Sequence, residues 1–97
     1  MIPYILELDN MDPLHQLRRE IDKIDLQILK DLKRRFSITK RVQEWKRKRK
    51  ISPYQKSRED AILKRLQKNG HKMGISKRMV KQIYKILFQE SRGKISK

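Results

Sequence analysis

The feature that most constrains this chain is a long stretch without glycine or proline, between Pro13 and Pro53. Within it, apolar residues recur at spacings of three and four, the period of an amphipathic helix. They form a heptad-like stripe made of Leu14, Leu17, Ile21, Ile24, Ile28 and Leu32. The pattern predicts one very long helix from about Leu14 to Lys48, which would be roughly 50 Å long.

A helix of this length creates a packing problem for so short a chain. The protein has 97 residues, which is enough for one small domain. A compact chain of about 100 residues has a radius of gyration of only about 13 Å. Because such a chain cannot cover the whole apolar stripe, the long helix predicts a second subunit alongside it. We therefore expect a homodimer.

A second helix is expected after a break near Pro53. The segment Ser52-Pro53-Tyr54-Gln55 has the spacing of a capping box with proline at the first helical position. The segment Ser57-Arg58-Glu59-Asp60 is an alternative start. The second helix is expected to run to about Lys68, where Asn69-Gly70 ends or weakens it, and Gly74 is expected to break the chain again.

A third helix is expected to begin after Ser76, a good N-cap residue, and to end near Gly93. The sequence shows no alternating strand pattern. The predicted fold class is therefore all-α, with three helices of which one is very long. We divide the chain into a short N-terminal lead, residues 1–12, and a single helical domain, residues 13–97.

The composition excludes several classes of site. There are no cysteines, so neither a disulfide framework nor a thiolate metal site is possible. His15 and His71 are too few and too far apart to indicate a metal site, and no metal is expected. No apolar run approaches the roughly 18 residues of a membrane span, and residues 1–8 do not resemble a signal peptide. A cytoplasmic location is expected.

The net charge of the chain indicates which kinds of partner it attracts. The net charge of +16 predicts attraction to anions, either nucleic acid or small acidic metabolites. The basic run Lys46-Arg47-Lys48-Arg49-Lys50, next to Trp45, could contact phosphates. It is equally typical of a solvated helix end, where cations favour the helix dipole, and we favour this second interpretation. Nucleic acid is therefore the less favoured partner.

Two cations continue the apolar stripe of the long helix. Arg35 and Lys46 are eleven residues apart, about three helical turns, so they project from one face. Two unpaired charges on a buried face would cost several kcal/mol, on the order of the penalty for burying ions. Either carboxylates of the protein pair them or an anionic ligand does. Glu59, on the apolar face of the second helix, is one candidate carboxylate.

The residues that carry most information also match a known pattern. The segment from Leu17 to Asp25, LRREIDKID, followed by Arg35, Lys46 and Arg58-Glu59, resembles the all-helical chorismate mutase family, chorismate mutase type II. The spacing from Arg18 to Glu59 matches without a gap, and the likeness extends from about Leu14 to Ser91. It implies an intertwined homodimer that converts chorismate to prephenate in phenylalanine and tyrosine biosynthesis, without a cofactor.

The resemblance also implies a role for each matching residue. Arg35 and the partner subunit's Arg18 would bind the two carboxylates of the substrate. Lys46 would donate to the ether oxygen of the breaking C–O bond, and Glu59 would accept from the ring hydroxyl. The backbone near Gln55 would help Glu59 to bind the ring hydroxyl. Arg58 and Ser91 would line the carboxylate side of the substrate, and Val42 and Phe88 would line its ring.

Such a reaction suits these residue types. A Claisen rearrangement needs no nucleophile, no metal and no acid–base pair, only restraint of a flexible dianion and stabilisation of negative charge at the ether oxygen.

One position departs from the family. Ile95 stands where a glutamine or glutamate usually donates to that oxygen, with Lys94 beside it, so a weaker enzyme is expected. A lyase of isochorismate, or an inactive dimerisation module, is an alternative with the same fold.

Overall fold

The computed structural model describes residues 12–93. These residues form three helices, α1 (Pro13–Lys48), α2 (Lys56–Lys72) and α3 (Lys77–Ser91). No strand occurs between residues 12 and 93, so the predicted all-helical, three-helix class is confirmed. None of the three helices combines the length and apolarity that would let it cross a membrane. The predicted N-terminal lead, apart from Asp12, lies outside the described residues.

The chain divides into two compact units, Met1–Arg35 and Phe36–Lys97, with the boundary inside α1. In the first unit, Asp12 caps α1 as predicted, because its Oδ1 accepts from the Leu14 N–H at 3.0 Å. No residue of α1 is buried. Five members of its predicted apolar stripe are between 51% and 59% exposed, and they are Leu14, Leu17, Ile21, Ile24 and Ile28.

The core of the second unit lies where α2 packs against α3. Val80, Leu87 and Phe88 of α3 are its buried apolar side chains. The ring of Phe88 contacts that of Tyr84 with centroids 5.8 Å apart. Ser76 caps α3 as predicted, because its Oγ accepts from the Met79 N–H at 3.1 Å.

The start of α2 predicted at Pro53 is wrong, and the alternative start at Ser57-Arg58-Glu59-Asp60 falls just after the observed one. The Ser52 Oγ accepts from the Tyr54 N–H at 3.2 Å and closes a local turn, instead of capping a helix that begins at Pro53. Gln55 is the N-cap residue, without a side-chain cap bond, and α2 begins at Lys56. The competing hydrogen bond of a serine with its own neighbouring backbone is the reason for the error.

The end of α2 predicted near Lys68 is also wrong, since α2 continues through Gly70 to Lys72, whereas the break predicted at Gly74 is confirmed. Gly70 is buried, and a Cβ built on it would lie 3.0 Å from the Val80 Cγ2 atom. This glycine therefore permits the close approach of α3 to α2 and does not end the helix. The turn comes at Gly74, which has a positive φ of 80°, and the Gly70 carbonyl accepts from the Ile75 N–H at 2.8 Å.

We expect Gly70→Ala to lower the thermal unfolding midpoint. Alanine is better in a helix by about 1 kcal/mol, whereas overpacking a core costs about 1–3 kcal/mol. Val80 is β-branched and stiff at χ1 in a helix, so it yields poorly to the new methyl group. A net loss of about 1 kcal/mol would lower the midpoint by roughly 4–8 °C, measured by circular dichroism at fixed protein concentration.

The Val80→Ala background is the matched control for this effect. With the Val80 methyl groups removed, Gly70→Ala is expected to raise the midpoint relative to Val80→Ala alone, because only the helix propensity remains. A fall of the same size in both backgrounds would show that Val80 is not the contact that selects glycine.

Candidate active site

Lys46 lies in the last turn of α1 and is half-buried. Its carbonyl accepts from the Arg49 N–H at 3.1 Å and from the Ile51 N–H at 2.9 Å, so these bonds close the end of the helix. Lys50 follows with a positive φ of 55° and turns the chain away. The local backbone thus holds Lys46 at a helix C-terminus, where a cation is favoured by the helix dipole.

One and two turns earlier, two side chains of α1 bind the end of α3. The Gln43 Nε2 donates to the Glu90 carbonyl at 3.0 Å and to the Ser91 carbonyl at 2.7 Å. The Thr39 Oγ1 donates to the Glu90 carboxylate at 3.1 Å. The Thr39 bond reaches a side chain, and the two Gln43 bonds satisfy backbone carbonyls that a helix end leaves without intrahelical partners. They also fix Ser91 next to the part of α1 that leads to Lys46.

The helix α3 ends in a glycine cap. The Arg92 N–H donates to the Phe88 carbonyl at 3.1 Å, and the Gly93 N–H donates to the Glu90 carbonyl at 2.9 Å. Gly93 has a positive φ of 74°, which is the usual conformation after a helix C-cap. The Ser91 hydroxyl donates to the Leu87 carbonyl at 2.9 Å. Ile95 and Lys94, on which the expectation of weak activity depends, lie outside the described residues.

The Arg92 side chain joins α3 to the first turn of α2. Its Nε lies 3.0 Å from the Glu59 Oε2, and its Nη2 donates to the Glu59 Oε1 at 3.3 Å. The two side chains are 23% and 19% exposed, so the pair is largely shielded from water. The guanidinium also lies over the Tyr54 ring, 4.6 Å from its centroid. A two-point arginine–carboxylate pair of this kind is strong and directional.

Within the second unit, these bonds bring two of the predicted site residues together. Glu59 pairs with Arg92, and Ser91 is the neighbour of Arg92 in the chain. Gln55 and Arg58 lie at the start of α2 and are exposed, and the Arg58 N–H donates to the Gln55 carbonyl at 3.1 Å.

The other predicted site residues have different surroundings. Val42 lies on an exposed face of α1, whereas Phe88 belongs to the core between α2 and α3. In the first unit, Arg18 is exposed and Arg35 is half-buried. The structure therefore places both arginines on α1, and their predicted role in binding carboxylates stays a prediction.

Sequence reasoning missed the residues that join the helices, namely Thr39, Gln43, Tyr54, Glu90 and Arg92. Besides any local bonds, each of them contacts a residue that is at least 33 positions away in the chain. Periodicity reports only neighbours along one helix, so it carries no signal for these pairs. One local signal existed at Arg92, which precedes the glycine predicted to end α3.

The basic run at the end of α1 borders a shallow groove. The Arg49 guanidinium stacks on the Trp45 ring, 3.9 Å from its centroid, and donates to the Trp45 carbonyl at 3.3 Å. Both residues of this stacked pair lie at, or directly after, the C-terminal end of α1. The groove is lined by Ile38, Arg41, Val42, Glu44, Trp45, Lys48 and Arg49.

The second unit is thus an all-helical assembly in which charged and polar groups from three helix ends meet at partly buried positions. The sequence matches the family model of chorismate mutase type II over residues 17–94, and the chain belongs to that family. Comparisons with curated proteins and with solved structures gave no match. Family membership supports a mutase-type activity with chorismate as substrate.

Proposed function

We propose that this protein is a chorismate mutase that rearranges chorismate to prephenate in phenylalanine and tyrosine biosynthesis. Residues 13–97 would act as one domain within an intertwined homodimer. The observation that supports the site most directly is the bonding among the three helix ends. Gln43 of α1 binds the Ser91 carbonyl, and Arg92 binds the Glu59 carboxylate. Two groups that the family uses in its site are thereby held by direct hydrogen bonds.

Substrate binding is the first task of the proposed site. Chorismate is a dianion, and Arg35 with the partner subunit's Arg18 would each bind one carboxylate through a two-point fork. Arg58 and Ser91 would line the carboxylate side. Holding both carboxylates selects the compact conformer in which the bond-forming carbons are close, and this restraint lowers the entropic part of the barrier.

Charge stabilisation is the second task. Negative charge grows on the ether oxygen as the C–O bond breaks, and the Lys46 ammonium would donate a hydrogen bond to it. Glu59, with the backbone near Gln55, would accept from the ring hydroxyl and so orient the ring. Val42 and Phe88 would contact the ring itself. The half-buried position of Lys46 favours this role, because a charge is more effective where water is partly excluded.

The exposed stripe of α1 supports the homodimer. Single exposed apolar residues are common, but a contiguous apolar face is rare on a soluble monomer and marks an interaction surface. A second copy lying along α1 would cover this face on both chains by the same contacts, as in other twofold dimers. The dimer would also bring Arg18 of one subunit to the site of the other.

The direct test is a steady-state assay with purified protein. We expect chorismate absorbance to fall with an acceleration of about 10⁶-fold or more over the uncatalysed reaction, the lower range for enzymes. Prephenate should appear in equal amount. A parallel assay with isochorismate should release no pyruvate. Pyruvate release with no loss of chorismate would identify a lyase instead, and no acceleration of either reaction would contradict both enzyme functions.

A further inference from the structure

Arg92 occupies a position from which it can control the proposed site. Its backbone belongs to the cap of α3, its guanidinium binds both oxygens of Glu59, and its plane lies over Tyr54. It therefore contacts α2, α3 and the segment between α1 and α2. The proposed site residues Gln55, Glu59 and Ser91 lie on these same three segments.

The pair differs in kind from an ordinary surface ion pair. An ordinary pair for comparison lies on α2, three residues before Glu59, where the Lys56 Nζ lies 3.0 Å from the Asp60 Oδ2. Those two side chains are 74% and 63% exposed, whereas Arg92 and Glu59 are 23% and 19% exposed. Exposed pairs contribute little to structure, because water screens them and both side chains stay flexible. The shielded, two-point pair holds its carboxylate in one orientation.

The Glu59 carboxylate retains acceptor capacity after this pairing. A carboxylate offers about four lone-pair sites, and the guanidinium uses one on each oxygen. The remaining sites are fixed in direction because the bound guanidinium fixes the plane of the carboxylate. A substrate hydroxyl approaching Glu59 would thus meet an acceptor that is already oriented, at little further entropic cost.

We propose that Arg92 is a positioning residue that orients Glu59 toward the ring hydroxyl of the substrate. This inference rests on the proposed function. It goes beyond it by assigning a task to a residue outside the set predicted from the sequence. Arg92 acts through Glu59, so removing Arg92 should matter only while Glu59 is present.

The experiment measures kcat and KM for chorismate in single and double variants. Arg92→Gln is expected to lower kcat by about ten- to a hundredfold, the scale of a misplaced catalytic group. KM should change by less than about threefold, because the arginines that bind the carboxylates remain. In a Glu59→Gln background, Arg92→Gln should lower kcat by less than about twofold further, since coupled residues are not additive.

Two further variants separate positioning from general structure. Arg92→Lys keeps the charge but loses the fork, so it should recover part of the rate lost in Arg92→Gln. If Arg92→Gln does not fold, the Arg92→Lys series in both Glu59 backgrounds provides the same comparison. Lys56→Gln removes the exposed pair on the same helix and should leave kcat unchanged.

Each of the following outcomes would overturn the proposal. Wild-type rates in Arg92→Gln would show that Arg92 has no role. An equal loss in both Glu59 backgrounds, with a raised KM, would show that Arg92 binds substrate directly. A wild-type protein without mutase activity would reject the proposed function together with this inference. An active wild type that Lys46→Ala impairs and Arg92→Gln does not would reject this inference alone.

Discussion

Lys46→Ala is expected to lower kcat for chorismate rearrangement by about 100- to 1000-fold, the usual cost of removing a donor to a developing oxyanion. The Lys46 ammonium sits half-buried at the end of α1. The residues directly before and after Lys46 point about 100° away around the helix axis, so they cannot deliver the same hydrogen bond. The effect should fall mainly on kcat, since the interaction strengthens in the transition state.

Lys48→Ala is the matched control, because it removes the same charge two residues further along, from an exposed side chain. It should change kcat less than about twofold, as substitutions of exposed residues usually do little. Circular dichroism should show equal helix content in both variants. Retained activity in a folded Lys46→Ala variant would show that the ether oxygen is stabilised by another group and that the site is misplaced.

The second large effect concerns sites shared between subunits. Arg18→Ala and Arg35→Ala should each lower kcat/KM by about 100-fold or more, because each would remove the two-point bond that we propose to a substrate carboxylate. Mixed dimers of the two variants should regain activity. A mixed dimer would contain one site with both arginines and one site with neither, because each proposed site takes Arg35 from one subunit and Arg18 from the other.

The recovery has a defined size. Random reassembly makes about half of the dimers mixed, each with one intact site of two, so about one quarter of wild-type activity is expected. The subunits would be exchanged by unfolding and refolding the mixture, and light scattering would report its mass. The control is each variant refolded alone, which should stay inactive. A dimeric mixture without recovery would show that Arg18 and Arg35 do not serve sites shared across the dimer.

Local chemistry was enough to predict much of the fold. The absence of glycine and proline from residues 14–52 and the regular apolar spacing predicted the helical character of α1. The capping residues Asp12 and Ser76 were identified correctly, because an N-cap bond joins atoms only two or three residues apart. The bounds of α2 were wrong at both ends. Ser52 uses its hydroxyl for a local turn, and Gly70 serves close packing, which no local pattern reveals.

The candidate site, like the fold, could be predicted from the sequence only in part. The residues that match the family motif, such as Glu59 and Ser91, could be named from the sequence through the resemblance to that family. The groups that hold them could not. Gln43 reaches the Ser91 carbonyl across 48 positions, and Arg92 reaches Glu59 across 33. Contacts over such separations depend on how the helices pack.

The sequence by itself determined that residues 12–93 form helices and no strands and that α1 has an apolar face, which the structure of these residues shows to be exposed. Helix period, caps and composition act over a few residues, and they are therefore readable along the chain. Only the tertiary structure decided where α2 begins and ends, and that Glu59 is paired with Arg92. Those features depend on burial and on side-chain contacts between distant segments, which arise only when the helices pack together.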